Sequence, residues 1–129
     1  MSIEFEISDI FSAQPEQVYD AWLDSGGHSK MTGGVAEASA EAGGEFTAWD
    51  GYISGKNLEL EPGKRILQSW RTQEFENSEA DSELEIVLEG VPEGPRLCLK
   101  HTKLPDHGMQ YKDGWVEHYF EPMKAYFRG

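Results

Sequence analysis

The chain has 129 residues, of which 38% are hydrophobic and 27% are charged, and its formal net charge is −13. This length and composition predict one soluble globular domain with a single core, spanning residues 1–129. A negatively charged surface repels phosphate groups, which argues against nucleic acid and an anionic membrane as partners. Two interpretations of the charge remain: solubility by self-repulsion, or complementarity to a basic protein.

The N-terminal stretch MSIEFEIS predicts a strand, because Ile3, Phe5 and Ile7 alternate with polar residues. It has no basic side chain and no continuous apolar run, so it does not resemble a signal peptide. No apolar run in the sequence approaches the ~18 residues that a membrane span needs. The single cysteine, Cys98, cannot form an intramolecular disulfide. Together these features predict a cytoplasmic protein.

The stretch SAQPEQVYDAWLDSGG predicts a helix. Pro15 suits its first position, where the missing N–H is no loss, and Val18, Ala21 and Trp22 share one face. The pair of glycines at positions 26 and 27 is expected to end this helix. The following HSKMTGG is long enough for no more than one further helical turn.

Strands are predicted from Val35 onward, joined mostly by short turns. Asp50-Gly51 lies between two alternating segments, and this dipeptide accepts the positive φ angles of a two-residue type I′ turn. Pro62-Gly63 predicts the next turn. The acidic stretch QEFENSEADSE is expected to be a long solvated connection between two strands of a hairpin.

The segments SELEIVLEG and EGPRLCLKHT predict two further strands across a turn at residues 92–95. Their alternation places on one face Leu84, Ile86 and Leu88 in the first strand, and Leu97, Leu99 and His101 in the second. Because the turns are short, we expect the strands to pair antiparallel. Because each strand has one apolar face, the sheet is expected to be covered on one side.

The closing stretch DGWVEHYFEPMKAYFRG predicts a helix with one broad, mostly aromatic face. That face comprises Trp115, Tyr119, Phe120, Met123, Tyr126 and Phe127. It is the large apolar element left to cover the sheet, so we expect it to dock in the concave side. Pro122 costs a regular helix about 3 kcal/mol. By freeing the carbonyl of His118, it is expected to bend the helix, either to follow the curved sheet or to leave room at one end.

Five stretches resemble, in order, the successive motifs of one known family. They are PEQVYDAWLD, KMTGG, GGEFTAWDGYISG, LELEPGKRILQSWR and DGWVEHYFEPMKAYF. From about Phe11 to Phe127 the chain resembles the C-terminal domain of the activator of heat shock protein 90 ATPase, a member of the START-like (SRPBCC) superfamily that includes the birch-pollen allergen fold and polyketide cyclases. The resemblance implies an α+β helix-grip fold with the order β-α-α-β6-α, in which a curved antiparallel sheet wraps around a long C-terminal helix.

The resemblance also implies a function, that of a non-enzymatic protein that binds the heat shock protein 90 chaperone or another protein. A cavity between sheet and helix, common in helix-grip folds, adds two alternatives: a binder of a small hydrophobic ligand, and a cyclase- or hydrolase-like enzyme. The candidate cavity residues are Trp49, Trp70, Leu97, Leu99, His101, Trp115, Tyr119 and Met123. The competing interpretation of these bulky residues is plain core packing.

His101 is the one candidate for a catalytic base, and its simpler interpretation is a buried structural histidine. None of the four histidines pairs with another at the i, i+4 spacing of two metal ligands, so neither a metal site nor another cofactor is predicted. Glu117 and Glu121 lie four residues apart and are expected to form a solvated helix face. No catalytic residue is therefore assigned.

Overall fold

The helices and strands follow closely the order that the sequence predicts. In the computed structural model, which describes residues 3–92 and 94–128, they are β1 (Ile3–Ile10), α1 (Pro15–Trp22), α2 (Ser25–Thr32), β2 (Glu45–Ala48), β3 (Ile53–Glu61), β4 (Arg65–Thr72), β5 (Ser82–Val91), β6 (Gly94–Leu104), α3 (Gln110–Trp115), a π-helical segment (Val116–Phe120) and α4 (Glu121–Arg128). Within those residues, six strands form one antiparallel sheet in the order β1-β6-β5-β4-β3-β2. The α+β class, with a curved antiparallel sheet and a C-terminal helix, is therefore confirmed.

Alternation along the central strands gives the sheet one apolar face. Ile86 of β5 pairs with Ile66 of β4 on one side and with Leu99 of β6 on the other, and all three side chains are buried. The opposite face is solvated and charged, with Arg65 bonded to Glu85 at 2.7 Å. The predicted facing of Leu97, Leu99 and His101 is thus confirmed.

The C-terminal helix, residues 110–128, packs against the apolar face of the sheet. Trp115 lies against Trp70 of β4 with ring centroids 5.6 Å apart, and Phe120 meets Phe11 edge-on at 5.9 Å. The prediction was wrong for Tyr126, which is 42% exposed. Tyr126 is exposed because the buried stripe of the helix runs through Met123 and not through Tyr126. The ring of Tyr126 packs on neighbouring Phe127.

A π-helical turn lies directly before Pro122. The N–H of Glu121 bonds to the carbonyl of Val116, five residues back. Pro122 has no N–H to give the carbonyl of His118 and would clash with it in a regular helix. The wider turn gives the chain another hydrogen-bonding register at this point. A π-bulge is itself a recognised cause of helix bending, and the bend at Pro122 stays a prediction.

The region of α1 and α2 differs from the prediction. The first helix ends at Trp22, and α2 has eight residues instead of one turn. Asp24 starts α2, because its carboxylate accepts a hydrogen bond from the N–H of Gly27 at 2.7 Å. Gly27 also lets the helices approach, since a Cβ there would lie 3.0 Å from Cα of Ala21. The paired glycines therefore begin a helix here instead of ending one.

The β2–β3 connection contains the predicted turn and one unexpected residue. Asp50 and Gly51 have φ angles of 60° and 88°, and the N–H of Tyr52 bonds to the carbonyl of Trp49 at 3.1 Å. These are the features of a type I′ turn. Trp49 also has a positive φ, 51°, so the connection between the strand ends spans four residues, 49–52.

The other predicted connections have mixed outcomes. Gly63 has a φ of 72° in a turn between β3 and β4, as predicted. The turn at residues 92–95 includes Glu93, which lies outside the described residues.

The acidic connection 73–81 is mostly exposed, but its Phe75 is buried against Trp70. The prediction of a wholly solvated loop missed this contact. Residues 35–41 add only an isolated bridge, Glu37 to Thr47, so five strands, instead of six, are described after α2.

Candidate functional site

A cleft of about 330 Å³ lies between the C-terminal helix and the β2–β4 side of the sheet, with one side open to solvent. Its lining residues are Trp49, Tyr52, Ile53, Trp70, Tyr111, Gly114, Trp115, His118 and Tyr119. All but Ile53 and Gly114 carry an aromatic ring, so we call it the aromatic cleft. Its volume is at the lower end of the range typical of small-molecule sites.

The inner wall of the aromatic cleft is a cluster of rings that support one another. Trp70 contacts Tyr111 nearly edge-on, with centroids 4.9 Å apart, and Trp115 packs on Tyr119 at 4.6 Å. Such pairs contribute about 0.5–1.5 kcal/mol each beyond their buried area. The wall is therefore expected to keep its shape whether or not a molecule occupies the cleft.

His101 lies behind this wall, not in it. The indole N–H of Trp115 donates to Nδ1 of His101 at 3.0 Å, so the proton of the neutral imidazole is assigned to Nε2, which lies 2.8 Å from Oγ of Ser82. That hydroxyl in turn donates to the carbonyl of Trp70 at 2.8 Å. Burial lowers the pKa of His101 to about 3. The histidine is thus a neutral, fully bonded support for Trp115.

A second buried histidine supports Tyr119. Nδ1 of His28 donates to the carbonyl of Trp22 at 2.8 Å, which leaves Nε2 to accept from the hydroxyl of Tyr119 at 2.8 Å. Burial lowers the pKa of His28 and raises the pKa of Tyr119. This bond ties α2 to the π-helical segment and holds one ring of the cleft in place.

Two hydroxyl groups give the aromatic cleft a polar end. The hydroxyl of Tyr111 lies 2.7 Å from Oγ1 of Thr72, and the hydroxyl of Tyr52 donates to the carboxylate of Glu74. Burial is the main cause that raises the pKa of Tyr111 and of Tyr52, and the bond to Glu74 raises that of Tyr52 further. Both phenols therefore stay protonated at neutral pH.

Trp49, a lining residue, has an unfavourable backbone conformation. Its φ of 51° lies in the left-handed region, which is a genuine outlier for a bulky residue. Its indole Nε1 is buried without a hydrogen-bond partner among the described residues. The ring lies on Gly34, where a Cβ would come within 2.4 Å of the indole, and it meets His118 edge-on at 5.5 Å. Surrounding contacts must hold such a conformation, and strained residues of this kind cluster at functional sites.

Four of the eight residues predicted for the cavity line the aromatic cleft: Trp49, Trp70, Trp115 and Tyr119. The other four, Leu97, Leu99, His101 and Met123, are fully buried in the core and lie outside the lining. Their facing was predicted correctly. The cleft, however, opens beside β2–β4, while β6 lies farther along the sheet, next to β1.

The prediction missed five lining residues: Tyr52, Ile53, Tyr111, Gly114 and His118. Tyr111 had a usable signal, because it lies four residues before Trp115 and so continues the aromatic face by one turn. Gly114 and His118 had none, since a glycine and an exposed histidine are not part of an apolar stripe.

The surroundings of Gly34 and Gly114 predict opposite effects of substitution by alanine. Gly34→Ala is expected to push the Trp49 ring away and to lower the free energy of unfolding by about 1–3 kcal/mol, the usual cost of overpacking. In Gly114→Ala the added methyl group would lie in open space. We expect this substitution to raise the free energy of unfolding by about 0.5–1 kcal/mol, because glycine is unfavourable inside a helix. Urea unfolding and tryptophan emission measure both. Equal stability and emission of the Gly34→Ala variant and the wild type would refute the contact.

Two further kinds of feature, membrane-spanning helices and metal-binding clusters, were sought among all the described residues. Within residues 3–92 and 94–128, no helix combines the length and the apolar character that crossing a bilayer requires. Among the same residues, no three His, Cys, Asp or Glu side chains come together in a way that would hold a metal ion.

Comparison with known proteins gives one consistent family. The family model described as Activator of Hsp90 ATPase homolog 1-like protein matches residues 12–128. The chain is similar to the activator of 90 kDa heat shock protein ATPase homolog 1 of Homo sapiens, with 26% identity over 94% of this chain and 36% of that protein. The homologue of Dictyostelium discoideum is 24% identical over 95% of this chain and 32% of its own length. The chain thus spans about a third of the length of these curated relatives.

Solved structures repeat the architecture. An HSP90 activator from Plasmodium falciparum superimposes with a TM-score of 0.85 and 22% identity, covering 95% of this chain and 94% of that one. A protein from Chromobacterium violaceum does so with a TM-score of 0.78 and 27% identity over 98% of both chains. An Aha1 dimer from Colwellia psychrerythraea has a TM-score of 0.82 at 17% identity, over 97% and 96% of the two chains. The matches below 25% identity establish the fold.

Proposed function

The chain belongs to the family of Activator of Hsp90 ATPase homolog 1-like proteins, and from that premise we propose that it is a binding protein and not an enzyme, with the aromatic cleft as its site for a small apolar molecule. One observation supports this above all others: aromatic rings line most of a solvent-open space of about 330 Å³. A cytoplasmic location is part of the same proposal.

The polar groups near the cleft favour binding over catalysis. His101, the candidate base, is bonded to Ser82 and Trp115 and is held neutral by burial. The phenols of Tyr52 and Tyr111 have raised pKa values and hydrogen-bond partners of their own. A general acid or base works best with a pKa near the operating pH. The two phenols are therefore better suited to orienting a bound molecule than to transferring protons, and His101 lies outside the lining of the cleft.

The size of the cleft sets the size of the ligand. A cavity of about 150 Å³ admits one benzene molecule, so a cleft of about 330 Å³ suits a molecule of roughly two fused rings. Such a molecule removes about 150–250 Å² of apolar surface from water, as a buried aromatic side chain does. At about 25 cal/mol/Å², that burial contributes about 4–6 kcal/mol, which corresponds to a Kd between roughly 50 μM and 1 mM.

Titration with 2-naphthol, a neutral two-ring molecule, tests this proposal. We expect saturable binding in that range and at least tenfold weaker binding to Gly114→Leu, because the leucine side chain would project into open space in the cleft. The matched control is Val116→Leu, which adds bulk at an exposed position two residues away and should bind as the wild type does. Equal affinity of the wild type and Gly114→Leu would refute binding in the cleft.

A second function, action on an Hsp90-type chaperone ATPase, is favoured by the family match and by the names of the curated relatives. The chain aligns with about a third of those proteins, so their activity extends to it only as a proposal. Measurement of the ATPase rate of the same organism's chaperone, with and without this protein, tests it. An increase supports the proposal, and an unchanged rate at saturating protein contradicts it.

A further inference from the structure

We propose that the aromatic cleft selects organic cations, meaning ammonium groups that carry apolar substituents, over neutral or anionic molecules of the same shape. The inference rests on the proposed binding function and adds a ligand class to it. Its basis is the combination of ring-lined walls, a carboxylate bonded to the lining residue Tyr52, and the absence of lysine and arginine among the described lining residues.

The rings themselves are the first argument. Each aromatic face carries partial negative charge, which attracts a cation placed over it. Trp49, Trp70 and Trp115 are of the residue type that binds cations best in this way, and the tyrosines add further rings. The attraction grows when the cation is desolvated, as it would be between the C-terminal helix and the sheet. Per contact it corresponds to roughly a 2- to 30-fold gain in affinity.

The charged groups around the cleft are the second argument. Glu74 accepts the hydrogen bond of Tyr52 and so places a carboxylate next to a lining side chain. The nearest lysine or arginine along the helix is Lys112, which is exposed and is not part of the lining. Arg71, on β4 beside Trp70, is engaged by Asp81 at 2.7 Å and by carbonyls of the 73–81 connection. The lining therefore offers an anionic ligand no lysine or arginine, whereas a cation would have the carboxylate of Glu74 beside the lining.

The charge of the whole protein is the third argument. With a formal net charge of −13, its field raises the local concentration of cations and lowers that of anions. This long-range effect weakens as salt rises. Attraction by the rings and by the nearby carboxylate of Glu74 acts at close range. Selectivity that remains at high salt therefore identifies the cleft as its source.

Three probes of nearly the same shape test the inference: benzyltrimethylammonium, its neutral carbon analogue neopentylbenzene, and the anion phenylmethanesulfonate. Each is measured by displacement of 2-naphthol at 0.15 M and 0.5 M NaCl. We expect the cation to bind roughly 3- to 30-fold more tightly than the neutral analogue at both salt concentrations, and the anion to bind more weakly than either. Equal or tighter binding of the neutral analogue overturns the inference and leaves the proposed function standing. Failure of 2-naphthol itself to bind overturns the proposed function.

Variants locate the selectivity. Glu74→Gln keeps a hydrogen-bond acceptor for Tyr52 and removes the charge, so the preference for the cation should fall by about two- to fivefold. Trp49→Leu should weaken cation binding more than neutral binding, while Trp49→Phe, which keeps a ring, should retain the preference. If Gly114→Leu, with its cleft filled, binds the cation as tightly as the wild type does, the attraction lies on the surface and the inference is wrong.

Discussion

Replacement of Trp115 by alanine is expected to lower the free energy of unfolding by about 4–8 kcal/mol, enough to leave much of the protein unfolded at 25 °C. Truncation of a buried tryptophan costs about 3–5 kcal/mol. The loss of its N–H leaves Nδ1 of His101 without its donor, which adds about 1–3 kcal/mol. Domains of ordinary stability have only about 5–15 kcal/mol in total. Trp115 joins helix to sheet, so this is the substitution to which the fold should be most sensitive.

Two companion variants keep this prediction testable even if Trp115→Ala does not fold. Trp115→Phe keeps a ring and removes the indole donor, and it should cost about 2–4 kcal/mol. Val116→Ala, at the next and exposed position, should change stability by less than about 0.5 kcal/mol. Urea unfolding followed by circular dichroism compares all three. A loss below about 1 kcal/mol in Trp115→Phe would mean that the helix does not depend on this contact.

Acidification is expected to destabilise the protein through His101, by about 3 kcal/mol between pH 6.5 and pH 4. The pKa of His101 is about 3 in the fold against an ordinary value of 6.5. Between those two pH values the unfolded chain binds a proton that the folded chain does not, so stability falls as pH falls, by about 1.4 kcal/mol per pH unit. The contribution is complete above pH 6.5. His28, whose pKa is also lowered, acts in the same direction.

Protonation of carboxylates also changes stability in this range, so the informative quantity is a difference between variants. His101→Gln removes the titrating group, and its stability deficit relative to the wild type should shrink steadily from pH 7 to pH 4. Val116→Ala, which changes no titrating group at an exposed position, should show a difference from the wild type that does not vary with pH. A deficit of His101→Gln that is the same at pH 7 and pH 4 would contradict the neutral, buried state of this histidine.

Much of the fold could be predicted because local chemistry and global architecture agree. The alternation of Leu97, Leu99 and His101 predicted their face correctly. Asp50-Gly51 predicted its turn, because few other residues accept two successive positive φ angles. Trp115, Tyr119 and Phe120 predicted the docked helix, because so many rings on one face have to leave water.

The errors come from interactions that a local pattern does not contain. Gly26 and Gly27 suggest a helix end, and only the capping bond from Gly27 to Asp24 makes them a helix start. Phe75 in an acidic stretch looks solvated, yet the fold brings it against Trp70. Tyr126 has the spacing of a buried residue and lies just off the stripe.

Only half of the residues predicted for the cavity line the cleft, because here too the outcome depends on how distant parts of the chain pack together. Trp49, Trp70, Trp115 and Tyr119 were found as large rings on elements that surround one space. The separation between those elements decides which core residues face a cavity and which fill the core, and sequence spacing does not report it. His101 shows this most clearly, since its partners Ser82 and Trp115 are 19 and 14 residues away in sequence.

The central claim is that the aromatic cleft between the helix and the sheet binds a small apolar molecule, and the indole N–H signals of the four tryptophans test it most directly. Trp49, Trp70 and Trp115 line the cleft, whereas Trp22 lies behind Trp115 and donates to Gln68. In a two-dimensional ¹⁵N NMR titration with 2-naphthol, we predict saturable shifts of the three lining signals, a smaller shift of Trp22, and loss of all these shifts in Gly114→Leu. Shifts that do not distinguish Trp22 from the others, or that persist in Gly114→Leu, would contradict the claim.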